Sequence, residues 1–135
     1  MTVAVAHQGS NDSDHVLLEA VREASARGES LAVIHVRTAV DEDLEAAVAA
    51  GVSDAVERVT AQVGVAAVPY ELRVAAGSAE DPTSALLDEA DAVRASILVI
   101  GARRRSPVGK AFLGSVSQRL ILEADVPVLV VKPPR

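Results

Sequence analysis

Three glycines and four cations occupy one stretch near the end of the chain, directly after an apolar run that ends at Ile100. The glycines are Gly101, Gly109 and Gly114, and the cations are Arg103, Arg104, Arg105 and Lys110. A helical pattern of apolar residues begins at Ser115. The first N–H groups of a helix have no partner within the helix, and they carry the positive end of its dipole. A phosphate near Ser115 to Ser117 would meet donors already directed at it, so the stretch predicts an anion-binding site.

Other polar residues give weaker indications. Taken alone, the basic run is typical of a solvated surface loop, and the adjacent helix start is what favours an anion site. His7, His15 and His35 do not have the spacing of metal ligands, and the chain has no cysteine, so no metal site is expected. Asp12 or Asp14 could partner Mg²⁺ on bound phosphates, although acidic residues there also favour a helix start.

Catalytic motifs are not found in the sequence. It contains neither the Gly-x-Ser-x-Gly of a nucleophile elbow nor the Gly-x4-Gly-Lys-Ser/Thr of a Walker loop. No catalytic residue is therefore assigned, and enzymatic activity is left as an open question with binding or regulation favoured.

The candidate residues are positioned by an alternating series of strands and helices. Apolar runs predict strands over residues 2–6, 31–36, 65–75, 97–100 and 126–131. Helical spacing predicts helices over residues 16–24, 41–63, 80–93 and 115–124. Such alternation indicates a doubly wound α/β domain, with a five-stranded parallel sheet and helices on both faces. By analogy with other sheets of this kind, we expect the strand order 3-2-1-4-5. The first and fourth strands are then neighbours at the switch point, where a ligand crevice opens at their carboxyl ends.

Single residues refine this prediction. Pro69 lacks an N–H group, so the third strand is expected at an edge of the sheet. Gly51 makes one unbroken second helix less favourable. The last helix is expected to present an apolar face made of Val116, Leu120, Ile121 and Ala124.

Composition limits the classes of function. The chain has 135 residues, which suits a single domain over residues 1–135, and half of them are apolar. A net charge of −6 and an aromatic content of one Phe, one Tyr and no Trp oppose nucleic-acid binding. No apolar run is long enough to span a membrane, and no export signal is recognised. These features, with the lack of cysteine, favour a soluble protein of the cytoplasm.

The spacing of the glycine and cation stretch resembles the phosphate loop of the universal stress protein family. Here Gly101 is followed by two residues, Arg104, nine residues and then Gly114-Ser115. The family reads Gly, two residues, Gly, nine residues, Gly and then Ser or Thr. The resemblance extends over nearly the whole chain, from Gly9-Ser10 to the terminal apolar run. It implies the same 3-2-1-4-5 sheet, a dimer and, in one branch of the family, ATP bound in the crevice.

Carried over position by position, the resemblance assigns ligand contacts to two groups of residues. The implied phosphate contacts are Gly101, Gly114, Ser115, Val116 and Ser117, and the loop cations Arg103 and Arg104 are candidate ligand contacts beside them. The implied adenosine contacts are Ala6, His7, Gln8 and Val36. Two positions depart from the family pattern: Arg104 replaces a glycine, and its guanidinium could clamp a phosphate, while Gln8 replaces a frequent Asp with an amide that both donates and accepts.

Three functions are consistent with these residues. The first is a stress-response protein that binds an adenine nucleotide, ATP in particular, with or without Mg²⁺. The second is a family member that has lost nucleotide binding and acts as a dimeric interaction module, and the third is a weak nucleotide hydrolase.

A homodimer is expected through the apolar strand 126–131, because an uncovered edge strand favours pairing with another strand.

Overall fold

A parallel sheet with helices on both faces forms the part of the chain that the structure describes. This computed structural model describes residues 1–7, 14–37, 42–76, 82–104 and 111–134. Its strands are β1 (Thr2–Ala6), β2 (Ser30–Arg37), β3 (Tyr70–Ala76), β4 (Ala95–Gly101), β5 (Arg103–Arg104), β6 (Ala111–Phe112) and β7 (Val128–Val131). The main sheet has the order β3-β2-β1-β4-β7, and β5 pairs with β6 in a separate antiparallel pair. Counted over its five strands, the main sheet has the predicted order 3-2-1-4-5.

The helices of these described ranges are the four that the sequence predicts. They are α1 (Asp14–Arg27), α2 (Glu42–Val63), α3 (Thr83–Ala92) and α4 (Ser115–Glu123). α1 ends where Gly28 adopts a φ of +66°, a left-handed conformation that glycine accepts without steric cost. α2 continues unbroken through Gly51, because the buried stripe of Val52, Val56 and Val59 outweighs the roughly 1 kcal/mol that an interior glycine costs a helix.

Alternation along the strands divides the hydrophobic core into two clusters. Val3 and Val5 of β1 pack with residues of α1 and α2 on one face of the sheet. Ala4, between them, packs with residues of α3 and α4 on the other face. Successive side chains of a strand point to opposite faces, so each strand end also presents one residue to each side.

Proline accounts for two strand boundaries that differ from the prediction. β3 begins at Tyr70 and not at residue 65, and β7 begins at Val128 and not at residue 126. Pro69 and Pro127 precede them and lack the N–H that a ladder needs. Both still use their carbonyl groups, which accept hydrogen bonds from Leu31 at 2.8 Å and Leu98 at 3.0 Å. The prediction that β3 lies at an edge of the sheet is confirmed.

Two further features were not predicted. The pairing of β5 with β6 within the glycine and cation stretch has no counterpart in the sequence analysis. Ile121, expected to face the core, is 37% exposed, and Leu120 is the residue of α4 that is buried. Within the described ranges, no helix is both long and apolar enough to cross a membrane.

Candidate functional site

The carboxyl ends of β1 and β4 meet at the predicted switch point. The two strands pair in parallel, with Val5 opposite Val99, and β2 lies on the other side of β1. β1 ends at Ala6 and β4 ends at Gly101, so the chain leaves two neighbouring strands at the same edge. Open α/β sheets form their ligand crevices at this position, outside the carboxyl ends of the two strands at the switch point.

Three of the expected contact residues border one apolar cluster beside this edge. Ala6 from β1, Val36 from β2 and Val116 from the first turn of α4 all pack against the cluster on the α3 and α4 face. The same cluster contains Ile100, which precedes Gly101 at the end of β4. Ala6, Val36 and Val116 therefore lie on the same side of the sheet beside this edge, and their contacts with a ligand stay predictions.

The start of α4 has the properties of an anion cradle. Gly114 is the N-cap residue, and no side-chain hydrogen bond caps the helix there. The first bond along the helix joins the N–H of Gln118 to the Gly114 carbonyl at 3.0 Å, so the N–H groups of Ser115, Val116 and Ser117 have no acceptor within the helix. A methyl group placed on Gly114 would meet no atom of the described residues within 4 Å. As far as the described residues show, space and N–H donors therefore coincide at this helix start.

Gly101 has a structural reason to be glycine. A β-carbon placed there would lie 2.8 Å from Cγ2 of Val16, closer than such atoms pack. The approach is on the α1 side of the sheet, because Val16 belongs to the cluster of α1 and α2. The predicted phosphate contact of Gly101 can therefore involve only its backbone, on the opposite side from the missing β-carbon.

Of Arg103 and Arg104 the structure describes only the backbone, and Gln8 is not among the described residues. Arg103 and Arg104 form β5, opposite Phe112 and Ala111 of β6, which places their backbone just past the end of β4. Their side chains, and all of Gln8, fall outside the described residues. Their predicted phosphate and adenosine contacts stay predictions.

His7 connects the end of β1 to β2. Its side chain is buried, with 6% exposed. Its N–H donates to the carbonyl of Ile34 at 2.9 Å, and its own carbonyl accepts a hydrogen bond from Nδ1 of His35 at 3.2 Å. Because a carbonyl only accepts, this contact requires the proton of His35 to be on Nδ1. The contact between the two histidines was not predicted from the sequence.

The environment of His7 opposes its protonation. Burial lowers the pKa of His7 below 6.5, and the neighbouring His35 lowers this pKa further, while Asp14 acts in the opposite direction. The unfolded chain then binds a proton that the folded chain resists, so folding loses stability as the pH falls below the ordinary histidine pKa of about 6.5.

Asp14 is paired with a cation of α2. Arg58 donates from Nε and Nη2 to the two carboxylate oxygens, at 2.9 and 3.0 Å. The bond to Asp14 raises the pKa of Arg58. Asp14 is thus a weaker candidate for a Mg²⁺ partner than the sequence suggested, and Asp12 lies outside the described residues. Among the residues described, no three His, Asp or Glu side chains are placed to hold a metal ion.

Known proteins similar to this chain were found by sequence and by structure. The family model described as "Universal stress protein family" matches residues 1–132. A universal stress protein from Mycolicibacterium smegmatis is 45% identical over 113 residues, which is 84% of this chain and 83% of the relative.

Solved structures of similar fold include two with a bound nucleotide. The universal stress protein from Archaeoglobus fulgidus in complex with dAMP is 26% identical, with a TM-score of 0.75 and 98% of each chain covered. A universal stress protein in complex with cAMP is 28% identical, also with a TM-score of 0.75, over 99% of this chain and 98% of the other. The sequence match over nearly the full length and the shared fold agree, and the chain belongs to the universal stress protein family.

Proposed function

We propose that this chain binds an adenine nucleotide in the crevice between the ends of β1 and β4, with the phosphate at the start of α4. The observation that carries the proposal is the uncapped first turn of α4, where three N–H groups coincide with a Gly114 β-carbon position that no described atom approaches within 4 Å. Anions bind such helix starts because donors and dipole are already oriented. The nucleotide would serve as a regulatory ligand of a stress-response protein.

The related structures support this assignment of ligand class. The two relatives just described hold dAMP and cAMP, each an adenine nucleotide with one phosphate group. A phosphate group is the kind of anion that the N–H groups at a helix start bind. ATP, which the sequence favours, would place its further phosphates toward the cationic residues that include Arg103 and Arg104.

The adenosine end is proposed to lie over Ala6 and Val36. These residues border the same apolar cluster as Val116, so base and phosphate contacts are on one side of the sheet. The imidazole of His7 is buried and is influenced by Asp14 of α1, which places it away from that wall. His7 would therefore contribute through its backbone, and Gln8 through its amide group.

Replacing Gly114 with valine is expected to weaken nucleotide binding by at least about tenfold. Charge-assisted hydrogen bonds are worth about 1.5–3 kcal/mol each, and the valine methyl groups would obstruct the N–H groups that make them. The fold should tolerate the change, since Gly114 has an extended backbone with φ −69° and no described atom near its β-carbon position. Calorimetric titration with ATP, AMP and cAMP, with and without Mg²⁺, measures the effect.

A matched glycine exists in α2. Gly51 also has no described atom within 4 Å of its β-carbon position, so Gly51→Val should leave binding unchanged. Unaltered affinity in folded Gly114→Val would place the ligand elsewhere. A folded parent protein that binds none of these nucleotides at saturation would favour the interaction-module alternative, and ATP turnover that depends on Arg104 would favour the hydrolase.

We also propose a homodimer through the β7 edge. β7 is the last strand of the sheet, and its four residues, Val128–Val131, are only half-buried although all are apolar. α4, which leads into it, exposes 83% of Leu122. Uncovered strand edges with apolar side chains favour pairing, and a two-fold contact would cover this one.

Lysine at the β7 edge is expected to separate the two subunits. Val128 and Leu129 point to opposite faces of the sheet, so Val128→Lys and Leu129→Lys together test both sides of the edge. A buried charge without a partner costs roughly 3–5 kcal/mol, enough to dissociate an ordinary dimer at micromolar concentration. Light scattering should show a dimer for the parent and a monomer for at least one variant. A monomeric parent, or two dimeric variants, would contradict the proposed interface.

A further inference from the structure

We propose that His7 and His35 form a proton-sensitive latch that fixes the end of β1 against β2 and thereby positions the crevice wall for its ligand. The two backbone groups of His7 are both engaged by β2: the N–H by the Ile34 carbonyl at 2.9 Å, and the carbonyl by Nδ1 of His35 at 3.2 Å. His7 is also the last described residue before residues 8–13, where Gln8 stands. The latch therefore acts where the chain leaves the sheet beside the crevice.

The latch is sensitive to protons because the imidazole inside it is buried. Protonation of His7 would place a positive charge on a side chain that is only 6% exposed and that lies close to the imidazole of His35. An imidazolium without water is strongly disfavoured, so a protonated His7 is best accommodated when the end of β1 separates from β2. Separation breaks both backbone contacts at once.

The charged surroundings do not cancel this effect. Among the described residues, the titratable groups whose charge acts on His7 are His35 of β2 and Asp14 of α1. Asp14 is itself paired through both carboxylate oxygens with Arg58 of α2, which compensates much of its negative charge. β4 contributes Gly101 at this level, which carries no charge. Burial and the neighbouring imidazole of His35 therefore outweigh Asp14, in agreement with the lowered pKa of His7.

Hydrogen exchange of the His7 amide tests the latch without any ligand. After correction for the intrinsic exchange rate, the opening constant should rise by up to about tenfold between about pH 7.5 and about pH 5.5. That is the ratio for a histidine that titrates near 6.5 only in the open state. In His7→Val, which continues the valine pattern of Val3 and Val5, the amide at position 7 should show no such rise. Equal pH profiles for the parent and His7→Val would overturn the proposal.

Substitutions of His35 separate the hydrogen bond from the titration. Gln at position 35 keeps a side-chain N–H for the His7 carbonyl, so His35→Gln should open as rarely as the parent at about pH 7.5. His35→Val removes the donor, so the opening constant of the amide at position 7 should be about fivefold higher at every pH. A fivefold change corresponds to the free energy of one ordinary hydrogen bond. If both variants opened equally at about pH 7.5, the Nδ1 contact would not be part of the latch.

The link to the crevice rests on the proposed nucleotide site and has a separate readout. Cyclic AMP is the suitable probe, because its phosphodiester does not titrate in this range. Its affinity for the parent protein should fall about threefold or more between about pH 7.5 and about pH 5.5, and should be nearly constant for His7→Val. Equal pH dependence in both proteins would refute the link. Failure of cyclic AMP to bind at about pH 7.5 would count against the proposed function, while hydrogen exchange would still decide the latch.

Discussion

Replacing Leu120 with alanine is expected to lower the free energy of unfolding by about 2–5 kcal/mol, the range found for buried leucines. Leu120 is 2% exposed and is the buried residue of α4, in the same cluster as Leu98 and Ile100 of β4. Loss of the side-chain atoms beyond Cβ leaves a cavity where α4 meets the sheet. Urea unfolding followed by circular dichroism measures the loss, and the nucleotide site should weaken with it because the start of α4 loses its anchor.

Leu122 provides the control on the same helix. It has the same side chain and is 83% exposed, so Leu122→Ala should change stability by less than about 0.5 kcal/mol. The comparison is made with monomeric protein or at one fixed concentration, since Leu122 lies near the proposed dimer edge. A loss below about 1 kcal/mol for Leu120→Ala would mean that α4 is held to the sheet by other contacts.

Replacing Gly101 with alanine is expected to destabilise the fold by about 1–3 kcal/mol, the usual cost of one excess methyl group in a packed site. The new β-carbon would lie 2.8 Å from Cγ2 of Val16, so α1 or the end of β4 must move. Thermal and urea unfolding measure the change. The effect is on folding and does not require a ligand.

Val16→Ala should rescue the Gly101→Ala protein. The double variant removes the methyl groups that clash, so its stability should exceed the sum of the two single effects by about 1 kcal/mol or more. Nucleotide affinity of the double variant should be close to that of the parent, since the added methyl points toward α1. Additive stability effects would show that the clash is relieved in another way, and lost affinity in a stable double variant would assign Gly101 a direct role with the ligand.

The α/β architecture could be predicted because it follows from local patterns, and the strand order was expected by analogy with other doubly wound sheets. Apolar runs alternate with helical spacing along the whole chain, and right-handed crossovers leave few arrangements for such a series. The end of α1 at Gly28 was equally local, since glycine accepts the φ of +66° that Gly28 adopts there. The position of the crevice followed from the strand order alone.

The missed features depend on contacts between distant residues. Gly101 fits a phosphate loop and a close helix approach equally well, and only the fold brings Val16 to it. The contact of His35 with His7 joins residues 28 positions apart, through the register of β1 and β2. Ile121 was misplaced because helical periodicity alone does not show how much of α4 the sheet covers, and a helix beside the last strand buries a narrower stripe.

The alternation at the strand ends has a consequence for how relatives of this protein can diverge. Ala6 and Val36 face the proposed ligand wall, while their sequence neighbours His7 and His35 take part in the connection between β1 and β2. We therefore expect adjacent codons to be under different selection. Lineages that change their ligand should accumulate substitutions at positions 6 and 36 and keep positions 7 and 35, whereas lineages that adapt to another internal pH should show the reverse.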